Sequence, residues 1–466
     1  MPEYFETRER ALLGARYEEL YHPATETAAR GVTVNALRCT PGEFAAGAGI
    51  ELSPSPFCDR AFLAPADFRP GRHPWHHAGV FYAQEPSAAS AAPLLGVEPG
   101  MKVCDLCAAP GGKSSQLAAA LQGRGLLLAN EYVAARAEIL RQNLERMGVA
   151  NAVVTNETPA RLAAALPGYF DRVLVDAPCS GEGMFRKEPA ALAQHSEALV
   201  RQCAALAAEI LDAAAELLAP GGVLVFSTCT FSPEEDEAQV AEFLTRHPEF
   251  VQQDLSGVGF GRPGEANRAP EIPGFSAAAC RRIWPADGGE GHFIARMQKR
   301  PDAPRAELPR AERPAKKGKG RENKGKGGAA DAGAAWRSFA KECFPALAGC
   351  GVETPGELVV LPPEELPPLG RLHVLRAGLV AGRVQKGRFV PAHALFMARG
   401  AECANRENLT LNDPRTRAWL RGEEIDAATA QNGWCAVCVD GYPLGCGKVS
   451  GGRIKNHYPK ALRMLG

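Results

Sequence analysis

No stretch of about 18 consecutive apolar residues occurs in the 466-residue chain, so no membrane-spanning helix is expected. Met1 to Gly31 lacks a basic start followed by an apolar stretch, so no secretory leader is read there. There is no excess of either charge: 53 Lys and Arg balance 53 Asp and Glu. A nucleic-acid partner would therefore need local basic patches, not a global field. There is no G-x-x-x-x-G-K-[ST] phosphate loop and no G-x-G-x-x-G turn. The 14 cysteines do not form a disulfide framework. Scattered through a long chain without a leader, they read as reduced thiols of a cytoplasmic protein. What is present is 45% hydrophobic and 23% charged, ordinary for globular protein, in a length that suits two to four domains.

Residues 1–85 begin with helical spacing of Phe5, Leu12, Leu13, Tyr17 and Leu20, followed by a strand-like Val32 to Leu37. Arg69 to Tyr82 holds three His, and reads as a solvated aromatic loop. His73, His76 and His77 have no Cys, Asp or Glu at ligand spacing, so metal is not expected. Residues 86–298 alternate strand and helix, the pattern of a parallel sheet. The strands expected are Lys102–Leu106, Leu126–Ala129, Ala152–Val154, Arg172–Val175 and Val223–Phe226, with Phe293–Ala295 as a late one. Residues 299–334 read as a flexible basic linker. Lys299 to Lys326 carries eleven Lys or Arg against four Asp or Glu, among many Pro, Gly and Ala. Residues 335–466 show short apolar runs between Gly and Pro turns, which suggests small β-rich modules. Their end is basic, with Lys448, Arg453, Lys455, His457, Lys460 and Arg463.

Two cysteines carry the chemistry. Cys179 lies in Asp176-Ala177-Pro178-Cys179-Ser180-Gly181-Glu182-Gly183, and Cys229 in Ser227-Thr228-Cys229-Thr230. Each follows an apolar strand. Open α/β sheets bind ligands beyond the carboxyl ends of their strands, so both thiols belong at the rim of one site. Two thiols there suit a reaction that makes and then breaks a covalent bond to substrate. Asp105 to Lys113 follows the first strand with a Gly turn that lets a ligand approach the backbone. Glu131, ending the second strand, is placed to accept hydrogen bonds from ribose hydroxyls. Together these suit a nucleoside cofactor without pyrophosphate, and S-adenosylmethionine fits. Cys39, Cys203, Cys280, Cys343 and Cys350 read as small buried hydrophobes. Cys104 and Cys107 read as packing residues near the cofactor loop. Cys435, Cys438 and Cys446 lack a full four-ligand zinc set.

Asp105 to Lys113, Asp176 to Gly183, Ser227 to Thr230 and Ser232 to Glu237 resemble the signature motifs of the Sun/Nop family of RNA cytosine-5 methyltransferases. Asp236 stands where Asn is usual. Thr33 to Arg38 resembles the family's N-terminal element, and Trp284-Pro285 with Gly289 to Phe293 its last motif. Pro443 to Gly445 and Lys455 to Pro459 resemble the PUA-like RNA-binding region of the bacterial 16S ribosomal RNA cytosine-5 methyltransferase F group. The resemblance implies a Rossmann-like methyltransferase core, an α+β N-terminal RNA-binding domain and a β-rich PUA-like C-terminal region. It implies Cys229 as the nucleophile on carbon 6 of cytosine and Cys179 as an aid to product release. It implies Cys107, Ala108, Ala109, Pro110, Gly111, Gly112, Lys113, Glu131 and Asp176 around S-adenosylmethionine, with Asp176 and Lys113 also near the base. The family's adenosine contact after the third strand falls on Thr158, with Asn156 and Glu157 as alternatives. The expected partner is ribosomal RNA or the small ribosomal subunit, bound by a monomer without metal or membrane. The alternatives are a transfer-RNA methyltransferase on the same core and a non-catalytic ribosome-assembly factor. A DNA cytosine-5 methyltransferase shares the Pro-Cys motif, and the additional Thr-Cys motif argues against it.

Overall fold

The computed structural model describes residues 1–23, 27–28, 30–308 and 327–464. Its centre is a sheet of ten strands. Six of them position the site: β1 (Lys102–Asp105), β2 (Leu126–Asn130), β3 (Ala152–Thr155), β4 (Phe170–Asp176), β5 (Leu218–Thr228) and β6 (His292–Lys299). β1 lies between β2 and β4, β3 pairs with β2, and β5 with β4, all in parallel. β6 runs antiparallel beside β5. Every residue of β2 and of β3 is buried, as a parallel strand covered on both faces requires. Helices Pro159–Ala165 and Glu197–Leu217 cover one face, burying Leu162, Ile210 and Leu211. Helices Gly112–Leu121 and Ala134–Arg146 cover the other with Leu117, Leu121, Leu140 and Leu144. Each such leucine contributes about 1.5–3 kcal/mol on burial.

The N-terminal region forms two helices, Glu3–Leu13 and Arg16–Tyr21, with a break at Gly14, and a four-stranded antiparallel sheet. Its first helices do not stand apart. Phe5, Leu13, Tyr17 and Leu20 pack with Phe185, Phe231 and Trp284 of the central domain. The C-terminal region adds a three-stranded and a five-stranded sheet. It also lends Val374–Ala377 to the central sheet, antiparallel to β3.

Three expectations are corrected. The stretch Arg69 to Tyr82 is not a solvated loop. It forms a short helix at Pro74–His77 and the start of strand Phe81–Gln84, and it is an interface. Trp75 Nε1 donates to Asp440 Oδ2 at 2.8 Å, and His77 Nδ1 lies 3.1 Å from the Tyr458 hydroxyl. Burial holds all three histidines below their ordinary range. The stretch expected as linker is shorter at both ends: Lys299 closes β6, and a helix spans Gly327–Cys343. Its basic centre, 309–326, lies outside the described residues. Among the cysteines expected to be buried, Cys350 is exposed and Cys203 only half-buried. Among the described residues no helix is long and apolar enough to cross a membrane, and no group of His, Cys, Asp or Glu could hold a metal ion.

Candidate active site

The strand order reverses between β1 and β4, and a cleft of about 630 Å³ opens beyond their carboxyl ends. Of the residues expected around a cofactor, Cys107, Ala109, Glu131 and Asp176 line it, and so do Cys179 and Cys229. The others do not line it. Ala108 is buried. The Pro110 carbonyl accepts from the Tyr82 hydroxyl and from Asn143 Nδ2. Gly111 has φ +114°, a conformation that favours glycine, and opens helix Gly112–Leu121. Lys113 Nζ donates to Asp176 Oδ2 at 2.8 Å.

Glu131 Oε1 accepts the Val133 N–H at 2.8 Å, and Arg136 lies 3.3 Å from Oε2. Of the three candidates after β3, Thr158 lines the cleft. Asn156 instead donates to the Glu131 and Tyr132 carbonyls, and Glu157 accepts the His373 N–H. The cleft's lip is apolar and open. Tyr132, Val133 and Leu206 line it while 68%, 45% and 43% exposed. Large exposed apolar side chains grouped at a cleft mark a ligand surface. Sequence reading missed them, although Tyr132 and Val133 directly follow Glu131.

The two sulfurs are 3.3 Å apart. Cross-links between their loops set this distance. Ser180 donates through N to Glu235 Oε1 at 2.7 Å and through Oγ to Glu235 Oε2 at 2.6 Å. Its Oγ also lies 2.8 Å from Thr230 Oγ1. Gly183 N donates to the Cys229 carbonyl at 2.9 Å, and a Cβ at 183 would stand 3.0 Å from that oxygen. Glu182 Oε2 accepts the Phe231 N–H at 3.1 Å and Arg8 Nη2 at 2.7 Å; Oε1 takes His195 Nε2 at 2.8 Å. The N-terminal helix thus braces the loops that carry both thiols. Asp236, standing where Asn was expected, accepts from Thr228 Oγ1 at 2.5 Å and pairs with Arg282 at 2.9 Å.

Charge follows this geometry. The hydrogen bond to Cys229 and burial push the Cys179 thiol well up. Burial does the same to Cys107, which fits a packing thiol. Burial opposes ionisation of Asp176, but Lys113, His292 and the Ser227 hydroxyl together outweigh it and hold the carboxyl below the usual range. Burial raises Glu235 to about 7. Glu182 goes the other way: burial opposes its charge, yet His195 and Arg8 lower it to about 2.

That last value gives a pH prediction. The folded carboxyl titrates at about 2 against an ordinary 4.5. Its stabilisation, about 3 kcal/mol, is complete above the ordinary value and is lost as pH falls toward the folded one. Urea denaturation between pH 6 and 3 should show a steeper loss for the native chain than for Glu182→Gln. Equal pH dependence would place the acid sensitivity elsewhere.

A parallel sheet with this strand order, an antiparallel sixth strand and a cleft at the switch point is a Rossmann-like methyltransferase domain. A solved methyltransferase homolog protein from Pyrococcus horikoshii superimposes with a TM-score of 0.57 at 27% identity, over 64% of this chain and 95% of that one. The family profile of 16S rRNA methyltransferase RsmB/F matches residues 92–298. Profiles of the RsmF N-terminal domain, first C-terminal domain and PUA domain match residues 1–86, 338–398 and 406–464. Ribosomal RNA small subunit methyltransferase F of Erwinia tasmaniensis is 33% identical across 88% of this chain and 85% of its own length. That of Cronobacter sakazakii is 31% identical across 93% and 90%. The chain belongs to the 16S rRNA methyltransferase RsmB/F family, and it is an enzyme of the methyltransferase class.

Proposed function

We propose that the chain methylates carbon 5 of cytosine in small-subunit ribosomal RNA, using S-adenosylmethionine and a covalent bond from Cys229 to carbon 6. The observation that carries this reading is the pair of thiols 3.3 Å apart at one cleft, on two loops fastened to each other. Such a pair suits a bond made by one thiol and released with help from the other.

The residues present fit the cofactor. The cleft combines apolar walls with the Glu131 carboxylate, and Asp105, which ends β1 just before the cofactor loop, has an Oδ1 that is buried with no hydrogen-bond partner found among the described residues. Residues 107–113 and Glu131 would hold the amino-acid end and the ribose, and Thr158 lies where the adenosine contact is expected. When bound, S-adenosylmethionine supplies an electrophilic methyl group. The chain does the rest. The Cys229 sulfur, 3.3 Å from that of Cys179, attacks as its thiolate. Attack on carbon 6 shifts the ring's electrons to carbon 5, which becomes nucleophilic. After methylation the proton on carbon 5 leaves, the sulfur–carbon bond breaks and the ring's double bond returns. Cys179 serves this release. Asp176 and Lys113, locked together at 2.8 Å, hold the base. A paired base must be flipped out to reach them.

Bisulfite mapping of small-subunit ribosomal RNA from cells with and without the gene tests the reading. Loss of one or more 5-methylcytosines is expected; an unchanged map would overturn it. The C-terminal region should add backbone affinity. Lys448 and Lys455 are exposed cross-strand neighbours. Replacing both by Ala should flatten the salt dependence of RNA binding by about 0.7 in log–log slope per lost phosphate contact. An unchanged slope would remove them from the RNA surface.

A further inference from the structure

His292 opens β6 behind the cleft lining, next to Asp176 and the strand that ends before Cys229. It pairs with Ile283, and the next residue, Phe293, pairs with Thr228, which precedes Cys229. Its ring is buried, 2% exposed, and Nε2 stands 3.9 Å from Asp176 Oδ1. The neighbouring polar groups satisfy one another: Lys113 Nζ and Ser227 Oγ both donate to Asp176, at 2.8 and 2.7 Å. His292 is left out. The Gly291 carbonyl and the Asp176 carboxylate face its ring, yet neither ring nitrogen completes a hydrogen bond among the described residues. A buried polar side chain with both positions open costs stability unless something fills them.

We propose that the target base fills one of them: one His292 ring N–H donates to N3 of the cytosine, while the Asp176 carboxylate accepts from its exocyclic amino group. This rests on the cytosine-5 reading above. For Cys229 to attack carbon 6, the pyrimidine must sit beside the start of β6. A neutral imidazole offers one donor and one acceptor, whereas a carboxylate only accepts. Cytosine presents an acceptor at N3 and a donor at its amino group, so the two side chains match it. Uracil presents a donor at N3 and an acceptor at carbon 4, so it would meet the carboxylate oxygen to oxygen. Burial and the nearby Lys113 lower the imidazole to about 3, which keeps the ring neutral.

The test uses the full chain with small-subunit ribosomal RNA, and compares His292→Phe, which keeps the ring shape and removes both nitrogens, with His292→Gln, which keeps a donor and an acceptor. For His292→Phe, kcat/KM for 5-methylcytidine formation should fall roughly 10- to 100-fold. Its affinity for S-adenosylmethionine by calorimetry should not change. His292→Gln should recover part of the loss. Native turnover in His292→Phe, with a raised melting temperature, would mean that the nitrogens hold only buried water and would overturn the proposal. If His292→Phe does not fold, activity of His292→Gln no higher than that of His292→Ala overturns it equally. The native enzyme is the control that separates the two readings: if it forms no 5-methylcytidine, the cytosine-5 reading itself fails.

Discussion

Cys229→Ala should abolish methyl transfer, by about 10⁴-fold or more, the scale of losses seen when a covalent nucleophile is removed. Binding of S-adenosylmethionine should stay near native. Cys229 lies at the edge of the cleft, whereas Glu131 and the 107–113 loop belong to β1, β2 and their turns. The loops should also keep their fold, because they are tied through backbone and through Ser180, Glu182 and Glu235, not through the sulfur. Methyl incorporation into ribosomal RNA, beside calorimetry with the cofactor, checks both halves. Substantial turnover by this variant would place the nucleophile elsewhere, and Cys179, 3.3 Å away, is the nearest other sulfur.

The parts of this site that a reader of the sequence can find are those fixed by strand ends. Asp105, Glu131, Asp176 and Cys229 each end or directly follow a strand of buried residues, and a parallel sheet brings such ends to one rim. What escapes is contact between distant segments. Nothing near Arg8 announces Glu182, 174 positions on. Nothing near Trp75 announces Asp440, and His73, His76 and His77 look like a wet loop until that interface covers them. Val374–Ala377 is too short to betray that it extends a sheet begun at residue 102. The Ala- and Gly-rich start of helix Gly327–Cys343 follows a charged run with no change of apolar period to mark it. Val32, Phe44 and Trp75 share one core with Trp419, Val437 and Ile454. Cutting the chain after Ala335 would therefore uncover apolar surface and the edge of β3. Charge substitutions such as those at Lys448 and Lys455 are the cleaner test of the C-terminal surface.

Cys179→Ala should do the opposite of Cys229→Ala and hold the enzyme on its RNA. The Cys229 sulfur remains, so attack on carbon 6 and methylation of carbon 5 proceed. Release fails, because it needs the carbon-5 proton removed as the sulfur–carbon bond breaks, and the thiol 3.3 Å from Cys229 is gone. The replacement adds no bulk to a half-buried position, and the Ser180 and Gly183 backbone bonds that hold the loop are independent of the side chain at 179. A denaturing gel of Cys179→Ala with ribosomal RNA and S-adenosylmethionine should show a slower band that nuclease removes. Cys179→Ala with Cys229→Ala should show none. A band of equal strength in the double variant would take Cys229 out of the covalent step. Full multiple turnover by Cys179→Ala would take Cys179 out of release, and the carbon-5 proton would then have to leave by way of another group at the site.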